Sequence, residues 1–364
     1  MRVAILWSHL SGYLNSCFHA LVENHNAELF VSYQIESGEA PFDAGEFVWL
    51  QSPYRFIDEP DGPELLKRLQ QFNPEVMLVG SWHVKGYRYV LRHFKGKSLR
   101  IMFMDNQWRG TLKQRLGVLA APWYIQPLYE AVFLPGERQA VFAKRFGFND
   151  CNIIRGGYTC DHPKFAAVRE QRKKDPTVYP PAFLYVGRLT GEKGIRTLLE
   201  AYRQYRTMIP EPFDLLCCGE GELRGELQNI EGIHITGFIQ PSELPAIFSK
   251  ASCLILPSIF EPWGVVIHEA TAAGMAVICS SRCGAMVHLV QPGYNGYVVE
   301  SGNANDLTRA MLRYSKLDPE KRVSMGEHSF SLSLQYTPIR WALNLVLFAD
   351  EYFAAKTQRF NENE

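Results

Sequence analysis

The chain has 364 residues, of which 46% are hydrophobic and 21% are charged. That length exceeds the size at which one hydrophobic core keeps growing, so two domains are the default expectation. The formal net charge is zero and the pI is near 7.1, whereas nucleic-acid-binding proteins usually carry a strong basic excess. The composition therefore excludes a disordered or fibrous chain and argues against a nucleic-acid partner.

The eight cysteines form no C-x-x-C pair, and Cys217 and Cys218 adjoin within an apolar run. This usage predicts reduced core thiols in a cytosolic protein. The first apolar run, residues 3–7, is too short for a signal peptide, and no segment approaches the ~20 apolar residues of a membrane span. We therefore expect a cytoplasmic protein.

Short apolar runs alternate with longer amphipathic segments along the first half of the chain. Such continuously apolar runs are typical of parallel strands that are covered on both faces. The predicted strands are residues 3–7, 29–32, 76–79 and 101–104, and the predicted helices include residues 62–72 and 125–146. The pattern predicts a doubly wound α/β domain over residues 1–168.

A polar, proline-containing stretch at residues 169–181 predicts a linker, after which the alternation resumes. The predicted strands of the second series are residues 183–186, 213–218, 234–235, 253–256 and 276–279, and its helices include residues 195–205 and 244–249. We expect a second doubly wound domain over residues 182–337, with a cleft between the two. Residues 338–364 form a last helix and tail, which either caps the second domain or crosses back to the first.

The strongest motif follows the predicted strand at 253–256 and contains Glu261, Trp263, Gly264, Val265 and Glu269. It is interpreted as a strand, a loop and a helix that begins near Gly264. The first amides and the positive dipole end of such a helix form an anion site that suits a diphosphate. Glycine lets a backbone approach a ligand closely. The two carboxylates suit sugar and ribose hydroxyls, although an isolated pair of this kind is more often structural.

A second motif follows the predicted strand at 183–186 and carries Arg188 and Lys193 on a glycine-rich turn before a helix. Both cations suit a diphosphate, the arginine as a fork and the lysine as a point charge. By itself such a turn is more often a solvated loop. The functional interpretation of this turn is favoured because the turn follows the first strand of the same domain whose fourth strand leads to Glu261.

Together these motifs closely resemble the retaining glycosyltransferases of family 4, which have the GT-B fold. The similarity includes G-R-x-x-x-E-K-G, the turn after Cys218, Gly237-Phe238 and the E-x7-E pair, Glu261 and Glu269. It also extends through later glycines of the second domain. The resemblance implies a hexosyltransferase that takes its sugar from a nucleotide diphosphate.

The same resemblance implies a role for each residue of the donor site. Arg188 and Lys193 would bind the diphosphate, Glu261 the transferred sugar and Glu269 the ribose. The implied backbone and base contacts are the amides of Trp263, Gly264 and Val265 and the ring of Phe238. No D-x-D occurs in the sequence, so we expect no cofactor and no metal, with the leaving-group charge neutralised by Arg188, Lys193 and helix amides.

The first domain resembles the family more weakly and is expected to bind the acceptor. Gly12 stands where the family usually has a glycine pair near the donor phosphates. Asp105 and Asn106 end the predicted strand at 101–104, where the family often has a histidine. Asp105 is a candidate for stabilising a positively charged sugar or positioning the acceptor hydroxyl. His83 is a further acceptor-site candidate, although a lone histidine is more often structural.

A basic stretch between Lys85 and Arg115 holds nine lysines or arginines and one acid, Asp105, with aromatic residues among them. Such a stretch suits the surface of an anionic membrane, at about 1 kcal/mol for each cation near the surface. A solvated helix face over core aromatics explains the pattern equally well. The membrane hypothesis implies a lipid-linked or saccharide acceptor, in the synthesis of cell-surface polysaccharide or lipopolysaccharide, at the inner face of the membrane.

Three kinds of rival function remain open from the sequence, one of which is a nucleotide-sugar epimerase or a sugar phosphorylase of the same fold. An NAD-dependent oxidoreductase is suggested by Gly219 and Gly221 after a strand, but the next glycine is one residue too late for the dinucleotide fingerprint. A nucleotide-sugar-binding protein without turnover is the third alternative. The nucleotide, the sugar and the acceptor are not determined by these residues.

Overall fold

The structure is a computed structural model that describes residues 1–35, 47–174 and 179–361. The chain divides into two compact units. The first contains Met1–Thr159 together with Pro338–Glu364, and the second contains Cys160–Thr337. Each unit is built around its own parallel sheet.

Within the described residues, the first unit has a seven-stranded sheet in which all neighbouring strands run parallel. The order across the sheet is β3-β2-β1-β4-β5-β6-β7. Its central strands are fully buried, as expected for a sheet covered on both faces. The strands are β1 (Arg2–Leu6), β2 (Glu28–Gln34), β3 (Tyr54–Phe56), β4 (Val76–Val79), β5 (Leu99–Phe103), β6 (Ala131–Leu134) and β7 (Ile153–Arg155).

Two helices of the first unit, α2 and α4, begin after a residue whose side chain caps the helix. Helix α2, for example, begins after Asp61, whose carboxylate accepts a hydrogen bond from the Glu64 amide, and ends at Asn73 in the left-handed conformation. The helices are α1 (Gly12–His25), α2 (Gly62–Phe72), α3 (Lys85–His93), α4 (Leu112–Tyr124), α5 (Glu137–Arg145) and α14 (Pro338–Asn361).

Helix α14 packs against α1 and the core of the first unit. Trp341 is buried there, its indole Nε1 donates a hydrogen bond to the Gly157 carbonyl at 2.9 Å, and its ring lies 5.4 Å from that of Phe133. The buried aromatic side chain and its satisfied N–H hold the helix in place. This packing confirms that the last helix crosses back to the N-terminal domain.

The second unit has a six-stranded parallel sheet over the described residues, in the order β10-β9-β8-β11-β12-β13. The chain winds outward from β8 in one direction and from β11 in the other, so the topological switch point lies between these two strands. The strands are β8 (Ala182–Val186), β9 (Asp214–Cys218), β10 (Ile233–Gly237), β11 (Cys253–Leu256), β12 (Ala276–Ser280) and β13 (Gly296–Val299). Ligands of such sheets bind at the carboxyl ends of the strands beside the switch point.

Helices cover both faces of this second sheet. The buried Arg172 of α6 donates hydrogen bonds to the carbonyls of Gly274, Phe248 and Ala251, which fastens α6 to the second unit. The helices are α6 (His162–Lys174), α7 (Ile195–Thr207), α8 (Arg224–Leu227), α9 (Leu244–Phe248), α10 (Val265–Ala272), α11 (Met286–Leu289), α12 (Ala304–Ser315) and α13 (Pro319–Ser333).

The two doubly wound parallel domains are confirmed, but two local predictions are wrong. Residues 125–146 are not one helix, because the apolar residues of β6 form a buried strand between β5 and β7. The N-terminal segment of the first unit ends at Thr159 instead of residue 168, and the predicted linker is helical over residues 169–174. Residues 175–178 of that linker lie outside the described residues. A short apolar run does not by itself distinguish a strand from a buried helix segment.

None of the helices in the described parts of the chain is both long enough and apolar enough to cross a bilayer.

Candidate functional site

The predicted donor residues lie on both sides of the switch point in the second unit. Arg188 and Lys193 follow β8, and Glu261 follows β11, the neighbouring strand of the sheet. Because both strands are parallel, their following loops meet at the carboxyl edge of the sheet. The fold thus brings together residues that lie about 70 positions apart in the sequence.

Backbone contacts join these two loops closely. Lys193 ends a short 3-10 helix (Gly191–Lys193), and Gly194 follows with φ of 75°. A Cβ atom at Gly194 would lie 2.2 Å from the Pro257 carbonyl oxygen, so glycine is required there. The Ile259 amide donates a hydrogen bond to the Glu192 carbonyl at 2.8 Å. The positions of Lys193 and Glu261 are therefore set by the backbone.

Lys193 and Glu261 form an ion pair at the centre of the site. The distance from Lys193 Nζ to Glu261 Oε2 is 2.5 Å, and their side chains are 18% and 12% exposed. Ser258 Oγ also donates to Glu261 Oε2, at 3.5 Å. A charge-assisted bond in such a partly buried place is stronger than one in water. The pair balances its own charges yet remains accessible to a ligand.

Arg188 supplies a second cation at the same strand ends. Its side chain is exposed, and within the described residues it has no ion-pair partner. The Arg188 carbonyl accepts a hydrogen bond from the Tyr185 hydroxyl at 2.7 Å, which fixes the backbone below the side chain. The guanidinium is therefore free to bind an anion.

Helix α10 begins at the expected position. Gly264 caps it with φ of 91° and ψ of 68°, and the Ile267 amide donates to the Gly264 carbonyl at 2.9 Å. No hydrogen bond from the amides of Trp263, Gly264 and Val265 is found within the described chain. The Trp263 indole is buried against His288 and Tyr336, so the backbone of Trp263 rather than its side chain is available to a ligand.

We expect Gly264→Ala to lower the free energy of unfolding by about 1–2 kcal/mol, because an L-residue is strained in the left-handed conformation. The new Cβ would also lie 3.1 Å from Glu261 Cγ and 3.3 Å from Leu256 Cδ2. Urea unfolding measures this loss. Gly225→Ala is the matched control, since nothing lies within 4 Å of its Cβ position. An equal loss in both variants would show that the backbone at Gly264 is not strained.

Glu269 lies just over one turn into α10 and is half-buried. Burial and, to a smaller extent, the charge of Asp161 raise the pKa of its carboxyl group to about 7, against the opposing effect of Lys164. Asp161 and Lys164 are themselves paired at 3.2 Å. A carboxyl group that is half-ionised near neutral pH can accept hydrogen bonds from ribose hydroxyls after losing its proton.

The glycines after β9 have a structural role. A Cβ atom at Gly219 would lie 1.9 Å from the Gly187 carbonyl oxygen, and one at Gly221 would lie 2.4 Å from that of Leu189. This close approach of neighbouring loops accounts for glycine at both positions without a dinucleotide. Phe238, which follows β10, is 39% exposed, so its ring is accessible for stacking.

In the first unit, the donor-phosphate candidate Gly12 and the predicted acceptor residues also lie at strand carboxyl ends. Gly12 follows β1 and begins α1, His83 follows β4, and Asp105 and Asn106 follow β5. Strands β1, β4 and β5 are neighbours in the sheet. His83 and Asn106 are exposed, whereas Asp105 is half-buried. The first sheet thus presents these four residues along one edge.

Two tyrosines that the sequence analysis missed surround Asp105. The Tyr158 hydroxyl donates a hydrogen bond to Asp105 Oδ2 at 3.0 Å, and the Tyr13 ring meets the Tyr158 ring edge-on at 5.0 Å. Burial raises the pKa of Tyr158 well above its usual value, and the neighbouring Tyr13 and Asp105 raise it further. Tyr158 therefore stays protonated and orients the carboxylate. No motif spacing marks these residues, because only the fold brings them together.

Within the described residues, no cluster of three or more His, Cys, Asp or Glu side chains has the arrangement of a metal site.

The second unit is similar in sequence to known glycosyltransferases. Residues 168–331 match the family model described as Glycosyl transferases group 1. A glycogen synthase of Mycobacterium tuberculosis is 31% identical over 157 residues, which cover 41% of this chain and 36% of that protein. An uncharacterized glycosyltransferase of Methanocaldococcus jannaschii is 30% identical over 131 residues, 34% of this chain and 33% of that protein. The chain thus spans well under half the length of these relatives.

Among solved structures, the chain is similar to HepE of Anabaena in complex with UDP. The TM-score is 0.75 at 14% identity, and the match covers 96% of this chain and 100% of that one. This likeness extends over both units, whereas the family match lies within the second. The chain therefore has the GT-B fold of glycosyltransferases.

Proposed function

We propose that this protein is a glycosyltransferase whose second unit binds a nucleotide-diphosphate sugar. The observation that carries the proposal is the Lys193–Glu261 pair at the switch point, within the stretch that matches glycosyltransferases group 1. The exposed Arg188 adds a second cation for the diphosphate. HepE, which shares the fold, was solved in complex with UDP, which supports a nucleotide at this site.

The donor site contains a partner for each part of such a ligand. Arg188 and Lys193 carry the positive charge for the diphosphate, and the amides from Trp263 to Val265 add donors at the start of α10. Glu261 would accept hydrogen bonds from the transferred sugar, Glu269 from the ribose, and Phe238 would stack near the base. These assignments, like family 4 and its E-x7-E motif, are part of the proposal and come from the resemblance to that family.

For the chemistry, we propose transfer of a hexose with retention of configuration and without a metal. Breaking the bond between the sugar and the diphosphate leaves negative charge on the phosphate oxygen. Lys193, Arg188 and the amides at the start of α10 would stabilise that charge as it develops, because preorganised donors act most strongly where water is reduced. Retention follows from the family resemblance.

The acceptor would bind at the edge of the first sheet that carries His83, Asp105 and Asn106, with Gly12 of the same edge near the donor phosphates. Asp105 is held by Tyr158, so its carboxylate is oriented to accept a hydrogen bond from an acceptor hydroxyl. We propose a saccharide or lipid-linked acceptor, in the synthesis of surface polysaccharide or lipopolysaccharide.

We further propose a cytoplasmic protein that contacts the inner face of the membrane through residues between Lys85 and Arg115. The eight cysteines, all among the described residues, form no disulfide with one another, and seven of them are buried, which fits a reducing compartment.

A thermal-shift panel tests the proposed function. Purified protein is mixed in EDTA with UDP, GDP, ADP, dTDP, CMP and NAD, and with the corresponding nucleotide sugars. We expect one nucleotide and its sugar to stabilise the protein, by about 2.7 kcal/mol at a hundredfold excess over the dissociation constant. The same ligand should stabilise Glu269→Ala much less.

The panel also separates the rival functions. Stabilisation by NAD alone would contradict a sugar-nucleotide site and favour an oxidoreductase. A nucleotide sugar that stabilises the protein is then tested for turnover with a panel of saccharide and lipid-linked acceptors. If no nucleotide diphosphate is released with any of them, a binding protein without turnover is favoured. Binding that needs a divalent ion would contradict the metal-independent chemistry.

A further inference from the structure

Helix α4 of the first unit presents apolar side chains to solvent along one face. Leu112, Leu116, Leu119 and Trp123 recur at intervals of four, three and four residues, so they lie on the same side of the helix. Their exposed fractions are 74%, 57%, 69% and 82%. An exposed stripe of large apolar side chains marks an interaction surface rather than a solvated face.

Little of α4 packs against its own unit. Ala121 is the buried residue of this helix, and Val118 is partly buried against the core. The first turn is nevertheless well formed, because Thr111 Oγ1 accepts a hydrogen bond from the Gln114 amide at 3.3 Å. Helix α4 is therefore an ordered helix whose apolar face has no cover within the described part of the first unit.

A basic pocket of about 230 Å³ adjoins the C-terminal end of this face. One wall is formed by Arg88, Arg92 and Lys95, and the other contains Trp123 and Tyr124. The Arg88 guanidinium stacks 3.4 Å above the centre of the Tyr124 ring. Arg88 Nε is buried and has no hydrogen-bond partner within the described residues. The pocket thus combines positive charge, an unsatisfied donor and an apolar rim.

The charge of this region is one-sided. From Lys85 to Tyr129 the sequence has nine lysines or arginines and one acidic residue, Asp105; Arg100 is buried and paired with Glu130, which leaves eight of these cations to act at the surface. Helix α4 itself carries Lys113 and Arg115 and no acid. A partner that covers this surface must be apolar at its centre and negative around it. A bilayer that contains anionic phospholipids has both properties.

We propose that α4 and the adjoining pocket, which together we call the docking face, bind an anionic phospholipid bilayer. Leu116, Leu119 and Trp123 would enter the interface, and the pocket of Arg88, Arg92 and Lys95 would hold the phosphate of one lipid head group. This inference extends the membrane contact that is part of the proposed function, and it rests on that contact. It does not depend on whether the protein transfers a sugar. It also adds Trp123 and Tyr124, which lie beyond the basic stretch.

The docking face is tied to the proposed acceptor edge. The loop between β5 and α4 contains Asp105, and Gln114 of α4 donates a hydrogen bond to the Gln107 carbonyl at 2.8 Å. The Arg109 amide in turn donates to Gln114 Oε1 at 2.7 Å. A helix held in the interface would therefore keep Asp105 near lipid-linked molecules.

Vesicle flotation of the full-length protein tests the docking face. We expect binding to phosphatidylcholine vesicles that contain phosphatidylglycerol, weaker binding at high salt, and little binding to phosphatidylcholine alone. Leu119→Ser with Trp123→Ser should lower the partition constant on the order of a hundredfold. The control, Leu343→Ser with Leu347→Ser, changes leucines of α14 in the same unit that are 39% and 51% exposed, and should leave binding unchanged.

The pocket is tested separately. Arg92→Gln with Lys95→Gln should weaken binding roughly fivefold for each cation removed. Arg203→Gln with Lys250→Gln, which removes two exposed cations of the second unit, should have no effect. At equal ionic strength, inorganic phosphate should displace the protein from vesicles no more than sodium chloride does, and stronger displacement by phosphate would assign the pocket to free phosphate instead.

Other outcomes would overturn the inference directly. Equal binding by the α4 and α14 variants would remove the docking face. A wild-type dimer that Leu119→Ser with Trp123→Ser dissociates, without any vesicle binding, would show that a second copy of the chain covers α4. The tests are distinct from those of the proposed function, because Lys193→Ala should still bind vesicles and the α4 variant should still bind the nucleotide.

Discussion

Lys193→Ala should reduce kcat/KM for the nucleotide sugar by at least about a hundredfold, the loss typical of removing one preorganised donor from a developing negative charge. The size of the effect follows from the site. Lys193 Nζ lies 2.5 Å from Glu261 Oε2 in a place where both side chains are mostly buried. Without the lysine, Glu261 keeps its negative charge beside the diphosphate and repels it. Release of the nucleotide diphosphate and calorimetric titration with it measure the effect.

The matched control is Arg196→Ala, three residues further along the chain. Arg196 is exposed and pairs with the exposed Glu226 at 3.1 Å, and such surface pairs contribute little. It should therefore change kcat/KM less than about twofold. If both variants lose activity equally, the loss reflects the removal of positive charge from this region and not a specific role of Lys193. If Lys193→Ala retains full activity, the diphosphate site lies elsewhere.

Glu269→Gln should flatten the dependence of stability on pH between about pH 4.5 and 7. The pKa of this carboxyl group is 4.5 when exposed and about 7 in the folded protein, because burial and then Asp161 disfavour its charged form. The native state therefore holds the proton more tightly than the unfolded state. This group's contribution is fully present below pH 4.5 and is lost as the pH rises through 7. At about 1.4 kcal/mol per pKa unit, the loss is up to about 3 kcal/mol.

Urea unfolding of the wild type and Glu269→Gln at pH 5 and pH 8 gives the difference directly. The neutral glutamine should make the variant relatively more stable at pH 8 than at pH 5. His162 and His268, whose pKa values are lowered by burial, titrate in both proteins and cancel in the comparison. Glu200→Gln, at an exposed position of α7, is the control. Parallel pH profiles for wild type and Glu269→Gln would mean that Glu269 is ionised throughout.

The class of fold could be predicted because its strands differ in composition from the segments around them. The runs at β4 and β11 contain four apolar residues each and were located with their correct bounds. Strand β6 has the same composition but was included in a predicted helix, since four apolar residues fit either period. Its pairing with β5 and β7, which decides the matter, involves residues distant in the chain.

Much of the donor site could also be proposed from local sequence. A glycine before a helix, a cation after a strand and a carboxylate after another strand are each visible within a dozen residues. The pairing of Lys193 with Glu261 could not be predicted from local sequence, because it depends on β8 and β11 being neighbours in the sheet. The same holds for Tyr158 and Asp105, which lie 53 residues apart.

The sequence by itself determined the two α/β domains, the residues of the donor motifs and the basic character of the stretch after Lys85. These properties are local, since they depend on periodicity, on glycine and on the kind of side chain. The tertiary structure alone decided which charges meet, that burial raises the pKa of Glu269, and that the leucines of α4 face solvent instead of a core. Pairing, burial and exposure depend on which distant residues pack nearby, and local sequence does not contain that information.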